Sequence, residues 1–376
     1  SNEPWSKPHF DEIVEGPWDQ DFNPRYVEIG FTNACNFKCS YCGPSFSSKW
    51  VEEMNQYGNY PTTDYFNNIE YLKDSGRMPF KQTDYNPYVE AFWKWWPSLY
   101  RDLHTFRMTG GEPLLSKDVW KILDFIIDEP NPNSNLTLSV NTNLGVPDKL
   151  IDKLIEKINR LTLDGVSLIG GSKPRIKEFQ LFTSVDTWGA QAEYIRNGLE
   201  FNRFWDNMVK IMEKCPKVSI GIMSTYNALS VPNYHKLIKG VFDLKKQYSE
   251  PGRTWSTAVV LDASYLRYPL HQTVQVLPRP WAEQIKYHGE LAADHMEIFK
   301  HEAGNTNGYT DSEVGKLRRI YDWQIAEQDP VILNKNRANF YRFFNAHDKR
   351  RNTNFLKTFP EFEEFWYQCK EISDKL

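Results

Sequence analysis

The 376-residue sequence predicts an α/β fold on a parallel sheet, followed by a mostly helical C-terminal region. Three observations predict it. Six strand-like runs alternate with helical ones, the segments that follow the runs are polar and glycine-bearing, and residues 266–376 carry mainly helical patterns. Ligands of parallel α/β folds bind at the C-terminal ends of the strands, so the segments after the runs are where function is expected.

The elements follow in order after a lead segment, 1–24. A cysteine-bearing loop, 32–43, comes first, and a long connection, about 43–104, follows it. Residues 105–108 form the second strand and end in Thr109-Gly-Gly-Glu-Pro113. Residues 136–143 alternate apolar and polar side chains and finish in small polar groups, so this strand delivers its end to a site. Residues 179–186 are the fourth strand, with Trp188-Gly and Glu193-Tyr-Ile-Arg196 after it. The fifth, 218–225, leads to Tyr226-Asn227, and the sixth is 256–261. Helical patterns over 117–128, 147–159 and 201–214 lie between them. The chain is longer than one typical domain, so an appended domain is expected. It has helices over 281–303, 310–327, 338–344 and 361–372, entered through Leu277-Pro-Arg-Pro280.

Three of the five cysteines, Cys35, Cys39 and Cys42, fall in Thr32-Asn-Ala-Cys-Asn-Phe-Lys-Cys-Ser-Tyr-Cys-Gly43. Three thiolates on one loop can hold three irons of a four-iron, four-sulfur cluster, leaving one iron for a ligand that is not protein. A zinc site wants four protein ligands, or three and a water, usually as two separated pairs, and fits this triplet poorly. Disulfides fit less well, because the count is odd and no secretory leader is visible.

The triplet, with Tyr41 before its last cysteine, resembles the motif of radical S-adenosylmethionine (radical SAM) enzymes. Gly110, Gly111 and Glu112 resemble the family's glycine-glycine-glutamate motif. The resemblance implies a partial (β/α)6 TIM-like barrel over about 25–265 and one 4Fe-4S cluster on Cys35, Cys39 and Cys42. It also implies SAM chelating the open iron, and reductive cleavage of SAM to methionine and a 5′-deoxyadenosyl radical that takes hydrogen from a substrate. Carried over by position, Gly110, Gly111 and Glu112 orient the methionyl ammonium, and Ser184 and Arg196 take its carboxylate. Asp186 touches ribose or caps the next turn, while Thr225 and Asn227 reach the adenosine. Tyr41, Asn141 and Asn143 complete the expected cofactor site. Ordinary roles remain open for several: Glu112 in a first helical turn, Arg196 on a surface, Asn227 in a turn for its own backbone preference.

The segment 345–351 with Phe359-Pro-Glu-Phe362 resembles the ending of radical SAM proteins with a twitch or SPASM-type region. Those regions commonly bind auxiliary clusters, but here only Cys369 is available, with Cys215 the other remaining cysteine. One cluster per chain is therefore expected, with both extra thiols buried or incidental.

The same resemblance implies a peptide, protein or amino-acid-like substrate, modified by epimerisation, oxidation or cross-linking. Alternatives are a glycyl-radical-enzyme activase, a small-molecule (nucleoside or sugar) rearrangement, or a non-catalytic scaffold that keeps the motif as a relic. A reducing partner such as flavodoxin or ferredoxin is implied. Trp50, Tyr57, Tyr60, Tyr65, Phe66, Tyr71, Tyr85, Tyr88, Phe92, Trp93, Trp95 and Trp96 crowd the connection before the second strand. They are read as a lid or peptide groove, or as helix core packing.

A net charge of −4 and a pI near 6.1 give no global basic field, so nucleic acid is not expected as a partner. Lys349-Arg-Arg351 reads as a solvated helix end. No apolar run reaches the length of a membrane span and no leader is visible, so a cytoplasmic protein without a membrane partner is expected.

Overall fold

In the computed structural model, residues 7–64, 67–79, 84–162, 174–249, 257–303 and 308–376 are described. Tyr65, Phe66 and Ser256 of the segments read above lie outside them. After a lead helix α1 (Lys7–Glu15), six strands form one sheet: β1 (Tyr26–Gly30), β2 (Thr105–Thr109), β3 (Thr137–Thr142), β4 (Glu178–Thr183), β5 (Ser219–Tyr226) and β6 (Val259–Tyr265). All neighbours are parallel, and their order in space is their order in the chain.

That order separates a partial barrel from a doubly wound sheet. Right-handed crossovers between strands taken in sequence put every crossover helix on one face. The helices α5 (Lys117–Asp128), α6 (Asp148–Thr162) and α8 (Phe201–Lys214) accordingly pack on one another in succession, and α9 (Tyr234–Tyr248) packs on β6. Strand alternation follows: Phe106, Met108, Leu138, Val140, Phe179 and Leu181 are buried toward the helices. Their neighbours Thr105, Arg107, Ser139, Asn141, Gln180 and Phe182 point the other way, into the barrel.

The connection before β2 folds as α2 (Ser48–Tyr57), α3 (Ile69–Asp74) and α4 (Pro87–Asp102). Helix α4 starts at an Asn86 cap with Pro87 in its first turn, and it buries Phe92, Trp96, Leu99 and Tyr100. Trp96 and Phe92 pack on Phe106 of β2, with ring centroids 4.9 and 6.1 Å apart. This half of the aromatic crowd is core. The exposed rings are Tyr57, Tyr71, Tyr85, Tyr88 and Trp95.

The C-terminal region comprises α10 (Trp281–Ala303), α11 (Asp311–Ile325), α12 (Pro330–Arg351), the short α13 (Phe355–Thr358) and α14 (Glu363–Lys375). Helix α11 lies on edge strand β6. Its Glu313 closes a capping box with Thr310 and accepts a hydrogen bond from Leu261 N of that strand at 2.8 Å. The sequence predicted only 338–344 of α12. The helix is longer because Asp329 caps it at Pro330 and Asn352, at φ 52°, ends it. The run 349–351 is also not a solvated end. The Arg351 side chain is buried against Glu53, and Arg350 lies 4.0 Å over the Tyr60 ring. Burial and those acceptors replace solvent for two of its three cations. No described helix is long and apolar enough to cross a membrane.

Candidate active site

The cysteine loop leaves β1 at its C-terminal end and is seated from four sides. The first seat is the turn after β2. Gly110 has φ +116°, a conformation that favours glycine, and a Cβ on Gly111 would lie 2.3 Å from Ala34 O. With no side chains there, the two backbones meet directly: Gly111 N donates to Thr32 O at 3.0 Å and Glu112 N to Ala34 O at 2.6 Å. The glycines thus serve a close backbone approach, and the partner they admit is the chain's own cysteine loop.

Glu112 is fully buried. Its carboxylate accepts from Leu114 N (3.0 Å), Thr142 Oγ1 (2.7 Å) and Asn143 N (2.6 Å), which ties the turn to the end of β3. Burial pushes its carboxyl up to about 7, against the hydrogen bonds that hold it down. Asn143 carries the tie onward, donating from Nδ2 to Asn36 Oδ1 at 2.8 Å inside the loop.

The second seat is a short antiparallel pairing of Lys38–Cys39 with Arg196–Asn197, at the end of α7 (Ala190–Ile195). Arg196 is buried and binds Asp186 through Nε and Nη2, at 2.8 and 3.0 Å, while Nη1 lies 3.8 Å from Cys39 Sγ. Asp186 also accepts from Tyr41 Oη (2.8 Å) and Thr225 N (2.9 Å). Four donors fill the acceptor sites of a carboxylate, so none is left for a ribose hydroxyl. The structure therefore makes Asp186 a brace that joins Tyr41, Arg196 and β5, in place of the ribose contact or turn cap expected from sequence.

The remaining expected residues divide. Asn227 caps the following turn, accepting from Leu229 N at 3.0 Å, which is its own backbone preference. Asn141 faces the barrel interior and accepts from Arg107 Nε at 3.0 Å. Ser184 is half-buried and takes part in no described hydrogen bond.

Two seats escaped the sequence reading. Gln272, after β6, exchanges side-chain and main-chain hydrogen bonds with Ser40 at 2.8 and 3.1 Å. Arg351 of α12 donates to Lys38 O and pairs with Glu53 of α2 at 3.0 and 3.1 Å, and Lys38 Nζ reaches the same carboxylate at 2.7 Å. Burial alone would raise Glu53, but the two cations and Tyr60 hold its carboxyl at about 2. A basic residue three positions from Asp348 gave no sequence signal for this pair, whose members lie 298 residues apart.

All three loop cysteines are free thiols, partly exposed. Burial, then mutual repulsion, lifts Cys35 to about 12 and raises Cys42 as well, while Arg196 pulls both down. Thiols close enough to repel one another suit a cationic iron–sulfur centre, which deprotonates its ligands. Among the described residues, no group of three or more Cys, His, Asp or Glu converges as ligands of one metal ion. Cys215 and Cys369 are buried in the apolar core.

A singly wound parallel sheet with a triple-cysteine loop at its C-terminal edge defines a class, and residues 29–168 match the Radical SAM superfamily. The matched stretch carries the cysteine loop and the Gly110–Glu112 turn, and the family it matches works with a four-iron, four-sulfur cluster and SAM. It is 26% identical over 136 residues to GTP 3′,8-cyclase of Sulfurimonas denitrificans, covering 36% of this chain and 33% of that protein. It is also 26% identical over 143 residues to the enzyme of that name from a Sulfurovum species, covering 38% and 34%. The chain spans about a third of the length of these curated relatives. Among solved structures, a polyhistidine-tagged anSMEcpe with bound AdoMet aligns over 94% of this chain and 96% of that one, at 12% identity and a TM-score of 0.41. Native anSMEcpe with bound AdoMet aligns over 73% and 60%, at 14% identity and a TM-score of 0.40.

Proposed function

We propose that this chain is a radical SAM enzyme that modifies a peptide, protein or amino-acid-like substrate. The observation that carries the radical SAM part is the cysteine loop, held by the Gly110–Glu112 turn and the Arg196–Asp186–Tyr41 brace at the strand ends. A cluster held by Cys35, Cys39 and Cys42 would supply the one electron that cleaves SAM to methionine and a 5′-deoxyadenosyl radical, the species that would take a hydrogen atom from substrate.

The chain's own residues hold and orient. Cys35, Cys39 and Cys42 are the proposed cluster ligands. Ser184, uncommitted among the described residues, is the proposed donor to the SAM carboxylate. Arg196 is a positioning residue: its guanidinium is already bidentate on Asp186 and places positive charge beside Cys39. Glu112 is buried, so the proposed contacts to the ammonium come from the exposed backbone of Gly110, with Glu112 fixing the turn. Tyr41, Asn143 and Thr225 act through the same braces. Electron delivery falls to a flavodoxin or ferredoxin.

The peptide reading is supported by a cleft of about 500 Å³ lined by Thr63, Asp64, Tyr71, Arg77, Tyr268 and Lys335. Aromatic rings with both signs of charge suit an extended peptide. The cleft joins the aromatic connection, the segment after β6 and α12, and His271 near it bonds Asp64 at 3.3 Å, next to Gln272, which bonds Ser40 of the cysteine loop. A nucleotide substrate is the second reading, favoured because the curated relatives are GTP 3′,8-cyclases. Incubating the reduced enzyme with deuterated peptide pools and, separately, deuterated GTP tests both. Deuterium in 5′-deoxyadenosine from the peptides supports the first reading, label from GTP alone replaces it, and label from neither refutes both.

A further inference from the structure

The opposite end of the barrel is built differently. In register across β1 to β4, the inward side chains form one layer of Tyr26, Thr105, Thr137 and Glu178 and a second of Glu28, Arg107, Ser139 and Gln180. Closed barrels fill such layers with bulky branched apolar residues. Here the layers are polar and enclose a cavity of about 560 Å³, which is the size of a small-molecule site.

Its lining carries more basic than acidic side chains, with Glu28 of the second layer beside Arg107. Arg25, Arg107 and Lys177 line it with His9 and His104, and Glu178 is the acidic residue of the lining. Arg25 is committed to Glu12 and Asp102 at the rim, and Glu178 accepts from the Gln180 amide. Arg107 donates from Nε to Asn141 Oδ1 at 3.0 Å, lies 3.1 Å from the Met223 sulfur through Nη2, hydrogen-bonds Tyr26, and forms a long ion pair of 3.9 Å with the exposed Glu28. Its guanidinium carbon lies 4.4 Å from the centroid of the Phe182 ring, a cation–π contact. Lys177, at the mouth, is exposed and has no described ion pair.

We propose that this cavity binds a small anionic molecule bearing a carboxylate or phosphate group, gripped by Arg107 within and Lys177 at the mouth. A guanidinium fork suits either group, because it can donate two parallel hydrogen bonds to a pair of anionic oxygens. The hydroxyls of Thr105, Thr137 and Ser139 line the path between the two cations. The site lies at the N-terminal ends of the strands, away from the cysteine loop, and needs no cluster chemistry.

Calorimetric titration of the full chain with pyrophosphate and, separately, with citrate at low ionic strength tests it. At least one is expected to bind saturably with a Kd below about 1 mM. Lys177→Gln should weaken that binding about tenfold and Arg107→Gln more, with SAM affinity unchanged. Tighter pyrophosphate identifies a phosphate-bearing ligand, and tighter citrate a carboxylate. Binding of neither, unaltered affinity in Lys177→Gln, an equal loss in a Lys121→Gln control on the outer face, or a parallel loss of SAM affinity would each overturn the proposal. Lys177 is exposed, so its variant keeps the test decisive if Arg107→Gln does not fold.

Discussion

The two ends of the barrel treat their polar groups in opposite ways. At the C-terminal end, Asp186 meets four donors, Glu112 three, and Arg196 is bidentate. At the N-terminal end, Arg107 has one long ion pair, 3.9 Å to the exposed Glu28, and Lys177 has no described ion pair. A network satisfied from within fixes geometry and resists distortion, whereas cations left short of partners are free to recognise something from outside. The first end is preorganised to hold a cofactor loop still; the second is organised to be completed.

Breaking the preorganised end should have the largest effects. Asp186→Ala leaves Arg196 buried without its partner, and urea unfolding should show a loss of about 3–5 kcal/mol together with loss of iron binding. A variant as stable as wild type would mean that the brace is incidental. Gly111→Ala drives a methyl into the Ala34 carbonyl, which is backbone and yields only by moving the loop. It should destabilise by about 1–3 kcal/mol and reduce iron loading in reconstitution, while normal loading would contradict the seating.

The pH dependence sharpens the comparison further. Glu53 is held at about 2 in the folded chain, below the ordinary glutamate value. The unfolded chain therefore takes up the proton first as pH falls. The stability Glu53 contributes is present above about pH 4.5, amounts to about 3 kcal/mol, and is lost between there and about pH 2. Glu53→Gln should flatten that part of the stability profile, and an unchanged slope would place the acid sensitivity elsewhere. The smallest effect belongs to the open end. Lys177→Gln should leave the unliganded protein within about 0.5 kcal/mol of wild-type stability in urea unfolding, with anion binding the property that changes.

The strands and the cysteine loop were legible because each has a local signal, alternating side chains, turn glycines or closely spaced thiols, whereas the strand order has none and was expected only from the family resemblance. The sequence also marked Asp186, Arg196 and Glu112 as site residues, but as hands for a ligand; in the fold Asp186 and Arg196 bind each other and Glu112 binds the end of β3. That difference lies in side-chain direction, which spacing does not encode. Glu53, Gln272 and Arg351 were illegible for another reason: their partners are hundreds of residues away, and Arg351 sits in a basic run of the kind that usually faces water. The inner layers of β1 to β4 had a readable signal, since Arg107, Ser139, Asn141 and Gln180 occupy alternate positions on strands whose other face is apolar.

The central claim is that three cysteines on one seated loop hold a single cluster that cleaves SAM. Anaerobic reconstitution tests it, with iron and sulfide counting and a 5′-deoxyadenosine assay under dithionite, for wild type beside Cys39→Ala. The account predicts about four irons per chain and 5′-deoxyadenosine that disappears with Cys39. An iron count near eight, no cluster at all, or a loaded cluster that leaves SAM intact would contradict it.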